Sequence, residues 1–212
     1  MPPEIVSGDD APGRIAERAT AAPARGLRRM VALAGPPAAG KSTMAGRLAA
    51  ALPDAVALPM DGYHLDNRLL TAKGLLPRKG APETFDAGGF VHAIARLSMG
   101  ETVVWPDFDR TRDISIAGAL QIGPEVRTVV VEGNWLLLDA DPWRRAPWDL
   151  TVALDVADAV LRDRLVRRWL FHGLDEAAAV ARAEGNDMVN AGVFRRDSRP
   201  ADVVWRAGEE LV

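Results

Sequence analysis

The stretch LAGPPAAGKSTMAG, residues 33–46, does most to limit what this chain can fold into. Gly35 to Ser42 fits G-x-x-x-x-G-K-[ST]; it follows the apolar run RRMVALA and opens the helix-length, alanine-rich stretch KSTMAGRLAAAL. A phosphate-binding loop needs that context, a strand before it and a helix after it. The glycines let the backbone turn tightly, so that several N–H groups face phosphate oxygens, and the helix N-terminus adds partial positive charge. Gly35, Pro36, Pro37, Ala38, Ala39, Gly40, Lys41, Ser42 and Thr43 are therefore the candidate triphosphate cradle. Lys41 is placed to reach the β- and γ-phosphates and Ser42 to coordinate Mg²⁺.

Four further apolar runs, AVALPM, RTVVVEG, DLTVALDV and ADVVWRAG, are short and nearly continuous rather than alternating. That is the mark of strands covered on both faces, hence of a parallel sheet. Helical periodicity runs through DAGGFVHAIARL and ADAVLRDRLVRRWL. The pattern predicts one α/β domain over residues 28–212, of the P-loop, doubly wound type. Its sheet is mainly parallel and five-stranded, with helices on both faces. Residues 1–27 read as a leader with one short helix packed on the outside. At 212 residues and 48% hydrophobic content the chain can bury a sizeable core. The net charge of −3 and scattered basic residues give no footprint for nucleic acid or an anionic membrane. Cysteine is absent, which excludes thiolate metal sites and suits a reducing compartment. With no signal-peptide pattern and no membrane-spanning apolar run, a cytoplasmic location is expected.

A phosphate loop alone does not separate a kinase from a regulatory NTPase or a simple nucleotide-binding module. The strand ends are more telling. AVALPM ends at Asp61 and VVVEGNWLLLD carries Glu132, so two carboxylates stand at the C-terminal rim where open α/β sheets bind ligands. Asp61 can orient an acceptor hydroxyl toward a γ-phosphoryl group, and Glu132 can contact Mg²⁺ directly or through water. Tyr63 and His64 follow Asp61 and are expected to line the same pocket; His64 has no second histidine at ligand spacing, so it is not read as a metal ligand. RKGAPETFD supplies Arg78 and Lys79, and its Asp86 is a good N-cap for the next helix. VVWPDFDRTRD sets Trp105, Asp107, Phe108, Asp109 and Arg110 in one extended segment, flat apolar surface mixed with hydrogen-bonding groups. Arg164, Arg167 and Arg168 share one helical face, as do Asn186 and Asn190.

Taken together, GPPAAGKST, PMDGYH, RKGAPETFD, WPDFDR and VVVEGNWLLLD resemble the phosphoribulokinase/uridine kinase family of P-loop kinases, which includes bacterial pantothenate kinase. The likeness runs from about residue 28 to 206. It is nearest to small bacterial proteins described as nucleoside/nucleotide kinase-like or as fructose-transport-system kinases. The resemblance implies ATP and Mg²⁺ as cofactors and transfer of phosphate to a hydroxyl of a small molecule such as a sugar or nucleoside. It implies that Asp61 is the catalytic aspartate, assisted by Lys41, and that Glu132, with Ser42 and Asp61, attends the Mg²⁺. It favours Arg164 and Arg168 as phosphate-contacting residues of a helical lid at about 162–180, hinged near Gly173. Tyr63, His64, Arg78, Lys79, Asp107, Asp109 and Arg110 become the acceptor-binding set. By the same resemblance the turn SRPAD, residues 198–202, is expected near the adenine, and dimers are common. The GYH after Asp61 departs from the S-F-Y usual in uridine kinases.

Overall fold

The computed structural model of the protein describes residues 2–206. Its centre is a sheet of six parallel strands: β1 (Glu4–Ser7), β2 (Arg29–Ala34), β3 (Ala55–Pro59), β6 (Thr128–Gly133), β7 (Leu150–Asp155) and β8 (Val203–Arg206). They are ordered β1-β8-β7-β2-β6-β3. The doubly wound α/β expectation holds, but the strand count is six rather than five. The extra strand is EIVS of the leader, which pairs with β8 at the sheet edge. Four residues between Pro2-Pro3 and Gly8 are too few to show periodicity, and only the partner strand reveals their role. The leader then forms α1 (Ala11–Ala21), whose Ile15, Ala16 and Ala19 are buried.

Successive residues of β2 divide between the two faces of the sheet. Met30, Ala32 and Ala34 pack toward α4 (Ala87–Ser98), whose Phe90, Ile94 and Leu97 fill one core together with Trp105, Trp135, Trp143 and Trp148. Val31 and Leu33 face the other core, built from α1 and α2 (Lys41–Ala50) with Leu161 of α5 (Asp158–Phe171) and Ala191 of α7 (Met188–Asp197). Burial on both sides is why these strands read as unbroken apolar runs. Asp86 caps α4 as expected, its Oδ1 accepting the Gly89 N–H at 2.9 Å. Among the described residues no helix is long and apolar enough to cross a membrane.

Two connections matter for the rim of the sheet. After β3 the chain makes a single 3₁₀ turn at Asp61–Tyr63 and then the short helix α3 (Asn67–Ala72). After α4 it forms an antiparallel hairpin, β4 (Val103–Asp109) and β5 (Ile114–Ile122), that stands apart from the main sheet. The sequence hides this hairpin, because Pro106 sits inside β4 at an irregularity in the register between Trp105 and Asp107. Two contacts fasten it to the end of β3. The Trp105 indole N–H donates to the Pro59 carbonyl at 2.9 Å, and Gly62 lies so close that a Cβ there would stand 2.3 Å from the Pro106 oxygen. Gly62→Ala must therefore push the hairpin off the Asp61 turn. Overpacking of this kind costs about 1–3 kcal/mol, roughly 2–12 °C in Tm for a domain of this size. A melting curve unchanged from wild type would show that the turn and hairpin are not so coupled.

Candidate active site

The phosphate loop leaves the C-terminal end of β2, flanked by β6 and β7. Ala38 (φ 60°) and Gly40 (φ 88°) both take left-handed backbone, which turns neighbouring N–H groups toward a common concavity. For Ala38 this conformation is unfavourable by about 1–2 kcal/mol. Gly40 is also the N-cap of α2 and offers no side-chain cap, so the first-turn N–H groups of that helix remain unclaimed. Lys41 Nζ donates to the Pro36 carbonyl at 2.8 Å, folding the ammonium over its own loop. Burial pushes the Lys41 ammonium below the ordinary lysine range, against the pull of Glu132 and Asp61. An anion among these donors would answer both the desolvated charge and the open amides.

β6 lies between β2 and β3, which sets the spacing of the groups at the rim. The Ser42 hydroxyl donates to Glu132 Oε1 at 2.8 Å. Asp61 follows the strand beyond, whose axis lies about 10 Å from that of β2 at roughly 4.8 Å per strand. That distance admits a phosphoryl group and an attacking hydroxyl between them. Asp61 Oδ2 accepts from Arg110 Nη2 at 2.8 Å, a contact made by the hairpin turn. Burial alone would raise the Asp61 carboxyl; the charges of His64, Arg110 and Lys41 outweigh it and hold the group below the ordinary range. For Glu132 burial prevails and its carboxyl is raised, with Lys41 pulling it down and the Asp61 charge pushing it up. Two carboxylates that oppose each other's ionisation, beside a hydroxyl and a lysine, form a hard-oxygen donor set suited to a cation.

One cleft of about 850 Å³ joins these groups. Its lining includes loop residues 37–43, Asp61, His64, Lys79, Arg110, Glu132 and Arg168. Gly35 and Pro36 are not in its lining. Lys79 contributes a wall whose ammonium is already engaged: Nζ donates to Asn67 Oδ1 and the Asp113 carbonyl, both at 2.7 Å, and pairs with Asp113 Oδ2 at 2.9 Å. The His64 ring stacks beside Phe85 and Phe108, at centroid distances of 3.9 and 4.8 Å. Its Nδ1 is 2.8 Å from the Asp61 carbonyl oxygen, which can only accept, so Nδ1 carries a proton.

Other expected site residues lie outside the cleft. Tyr63 packs edge-on against Phe90 and Trp105 in the core, and burial pushes its phenol up to about 12. Arg78 is paired with Glu83 at 2.9 Å on the surface. Asp107 accepts the Phe108 N–H and Asp109 the Arg112 N–H, each serving its own strand or turn. The pleat explains this: Phe108 and Arg110 face inward, so Asp107 and Asp109 alternate outward. Arg164 Nη1 reaches the Ala38 carbonyl at 3.4 Å without lining the cleft, and its Nη2 is buried without a partner among the described residues. Arg167 pairs with Asp163 on the exposed face of α5. The SRPAD turn is at the wrong edge for adenine. It precedes β8 in a parallel sheet, so it lies at the N-terminal rim, where Asp202 binds the Thr151 N–H and hydroxyl at 2.9 and 2.6 Å.

The cleft also contains residues that carried no sequence signal of their own: Asn67, Asp113, Asn134, Trp169, Arg182 and Asp187. They come from α3, the hairpin turn, the end of β6, α5, α6 (Glu176–Arg182) and the π turn Ala183–Asp187. Asn186, which shares a helical face with Asn190, donates from Nδ2 to the Lys79 carbonyl at 3.0 Å and ties this helical arm to the opposite wall.

No family model matches the chain. It is 34% identical over 191 residues to the uncharacterised protein YggC of Escherichia coli (strain K12), a match covering 86% of this chain and 79% of YggC. It is 31% identical over 194 residues to a Schizosaccharomyces pombe protein provisionally named a uridine kinase (C227.14), covering 84% and 82% respectively. A solved structure from Silicibacter sp. TM1040, provisionally named a fructose transport system kinase, shares 51% identity, covers 92% of this chain and 97% of that one, and superposes with a TM-score of 0.86. With the loop, the strand-end carboxylates and these relatives in agreement, the chain belongs to the phosphoribulokinase/uridine kinase family of P-loop kinases, ATP-dependent enzymes that phosphorylate a hydroxyl of a small molecule.

Proposed function

We propose that the protein transfers the γ-phosphoryl group of Mg·ATP to a hydroxyl of a small polar metabolite held between the hairpin turn, α3 and the α5–α6 arm. The observation that carries this reading is the common cleft, with the phosphate loop on one wall and Asp61 on the next strand tip but one. The loop N–H groups and Lys41 hold the β- and γ-phosphates. Asp61, kept ionised by Arg110, orients the acceptor O–H and takes its proton as the new P–O bond forms. The bond from phosphorus to the bridging oxygen breaks and ADP leaves. Ser42, Glu132 and Asp61 are the residues that would hold Mg²⁺, which supplies charge neutralisation on the phosphate oxygens when bound. Among the described residues no group of three or more histidine, cysteine or carboxylate side chains forms a metal cage. A Mg²⁺ ion that takes much of its shell from phosphate and water needs none. Residues 162–180 serve as the lid, turning at Gly173 (φ 88°), with Arg168 as the phosphoryl-contacting arginine.

A screen of sugars, nucleosides and hydroxy acids for ATP-dependent phosphorylation, read as product mass, tests this. The expected result is one acceptor class that gains a phosphoryl group and accelerates ATP consumption over the acceptor-free rate. ATP hydrolysis that no acceptor stimulates, with no phosphorylated product, would favour a nucleotide-driven switch instead.

A further inference from the structure

The cations of the cleft are not equally engaged. Arg110 is bound to Asp61 at 2.8 Å and Lys79 to Asp113 at 2.9 Å, while Lys41 is folded onto its loop beside Glu132. Arg168 and Arg182 differ: among the described residues neither has a carboxylate within 4.0 Å. They flank a single side chain. The Arg168 guanidinium stands 5.7 Å and that of Arg182 5.2 Å from the Trp169 ring. The ring is fixed by its N–H, which donates to Asp187 Oδ2 at 2.6 Å. Asp187 gives one oxygen to the indole and acts on both guanidiniums only from beyond salt-bridge distance, and burial raises its carboxyl.

The two guanidiniums serve different ends of the cleft. Arg168 lines the cleft together with Arg110 and Asp61, and it feels their charges as well as those of Asp187 and Arg182. Arg182 leans the other way, its Nη1 donating to the Pro77 carbonyl at 2.9 Å, two residues before Lys79 and on the wall that carries Asn67. One carbonyl satisfies one of five guanidinium N–H groups. The remainder form a planar fork over an aromatic face, the geometry that best receives a carboxylate or phosphate.

We infer that the acceptor carries an oxyanion group in addition to its reacting hydroxyl, and that Arg182 binds it. The substrate class is thus a hydroxy acid, sugar acid or sugar phosphate rather than a neutral polyol. This inference rests on the kinase reading above for its word "acceptor". The binding of an anion at Arg182 does not.

Matched probes test it: glycerol against glycerate, glucose against gluconate, and fructose against fructose 6-phosphate, each with Mg·ATP and product read by mass. The anionic member of at least one pair is expected to show a kcat/KM at least tenfold above its neutral partner, and the carboxylate and phosphate pairs tell which oxyanion is meant. Arg182→Gln should raise the KM of that acceptor by about 10- to 100-fold while leaving the KM for ATP unchanged, with Arg182→Lys falling between. Neutral members used as well as the anionic ones, or a change that falls on ATP, would overturn the proposal. A second arm needs no turnover. Crystals holding Mg·AMP-PNP are soaked in selenate, and an anomalous peak within hydrogen-bonding distance of Arg182 is expected in the wild type and not in Arg182→Gln. Selenate bound there while no acceptor in the full screen is phosphorylated would refute the kinase reading and keep the anion site. No selenate at Arg182 in the wild type would refute the site.

Discussion

Asp61→Asn should lower kcat by about 10²–10⁴-fold, the usual worth of a positioned general base, and leave the KM for ATP within a few-fold of wild type. The substitution is nearly isosteric, and the asparagine carbonyl oxygen can still accept the Arg110 N–H that Asp61 Oδ2 accepts at 2.8 Å. What it loses is the negative charge and the capacity to take a proton. Steady-state kinetics with the acceptor identified by the screen, alongside equilibrium binding of an ATP analogue, separate the two effects. A nucleotide-binding module without chemistry requires that Asp61→Asn change nothing beyond local stability, and retained transfer would remove Asp61 from its role. The same charge has a pH signature. Its carboxyl is held below the ordinary range by neighbouring His64, Arg110 and Lys41 against burial. A depressed folded pKa means the carboxylate's stabilising contribution is complete above the unfolded value, near 3.9, and disappears as pH falls through the lower folded value. Arg110→Gln, which deletes the partner, should move that acid transition upward in a pH series of melting curves.

How far the sequence could foresee the site depends on what positions each residue. The phosphate loop is written in local backbone requirements: Gly40 at φ 88° and a helix starting at Lys41 are short-range features, and the glycine spacing encodes them. Asp61 and Glu132 follow from chain direction alone, since whatever ends a strand of a parallel sheet stands on one rim. The same logic applied to Ser198–Asp202 would have placed that turn on the opposite rim, because it precedes its strand. Asp107 and Asp109 lie outside the cleft lining for a different reason. Sequence showed that the segment was extended but not which parity faced the cleft, and the irregularity at Pro106 resets the alternation expected from Trp105. The Trp169–Asp187 and Lys79–Asp113 pairs join residues 18 and 34 positions apart. Their meeting is set by how α5, the π turn and the hairpin fold back over the sheet. Nothing in the local pattern of a basic helix or the DRTRD turn distinguishes such partners from a solvated surface.

Arg164, Arg167 and Arg168, three of the four arginines of α5, are equivalent as a spacing pattern, and their surroundings separate them into three expected outcomes. Arg168→Gln should cost about 10³-fold or more in kcat, in the range of arginines that neutralise charge on a transferring phosphoryl group, with little change in acceptor KM. The reason is preorganisation. Burial pushes its pKa down from the ordinary arginine value, yet a guanidinium stays protonated at any working pH, so the side chain presents a partly desolvated positive charge to the cleft. Stacked against Trp169, it does not have to be ordered during the reaction. Arg168→Lys should recover only part of the loss, because an ammonium cannot reproduce the planar fork. Arg164 touches the Ala38 carbonyl from outside the cleft. Arg164→Gln should therefore act through the phosphate loop, raising the KM for ATP and lowering Tm more than it changes kcat. Arg167→Gln removes a surface pair with Asp163 and should leave both kinetics and melting within error. Single-turnover measurements on the three variants, with acceptor and ATP saturating, decide the matter. A kcat loss concentrated in Arg164→Gln with Arg168→Gln near wild type would reverse the assignment and mean that closing the lid exchanges the two side chains over the phosphates.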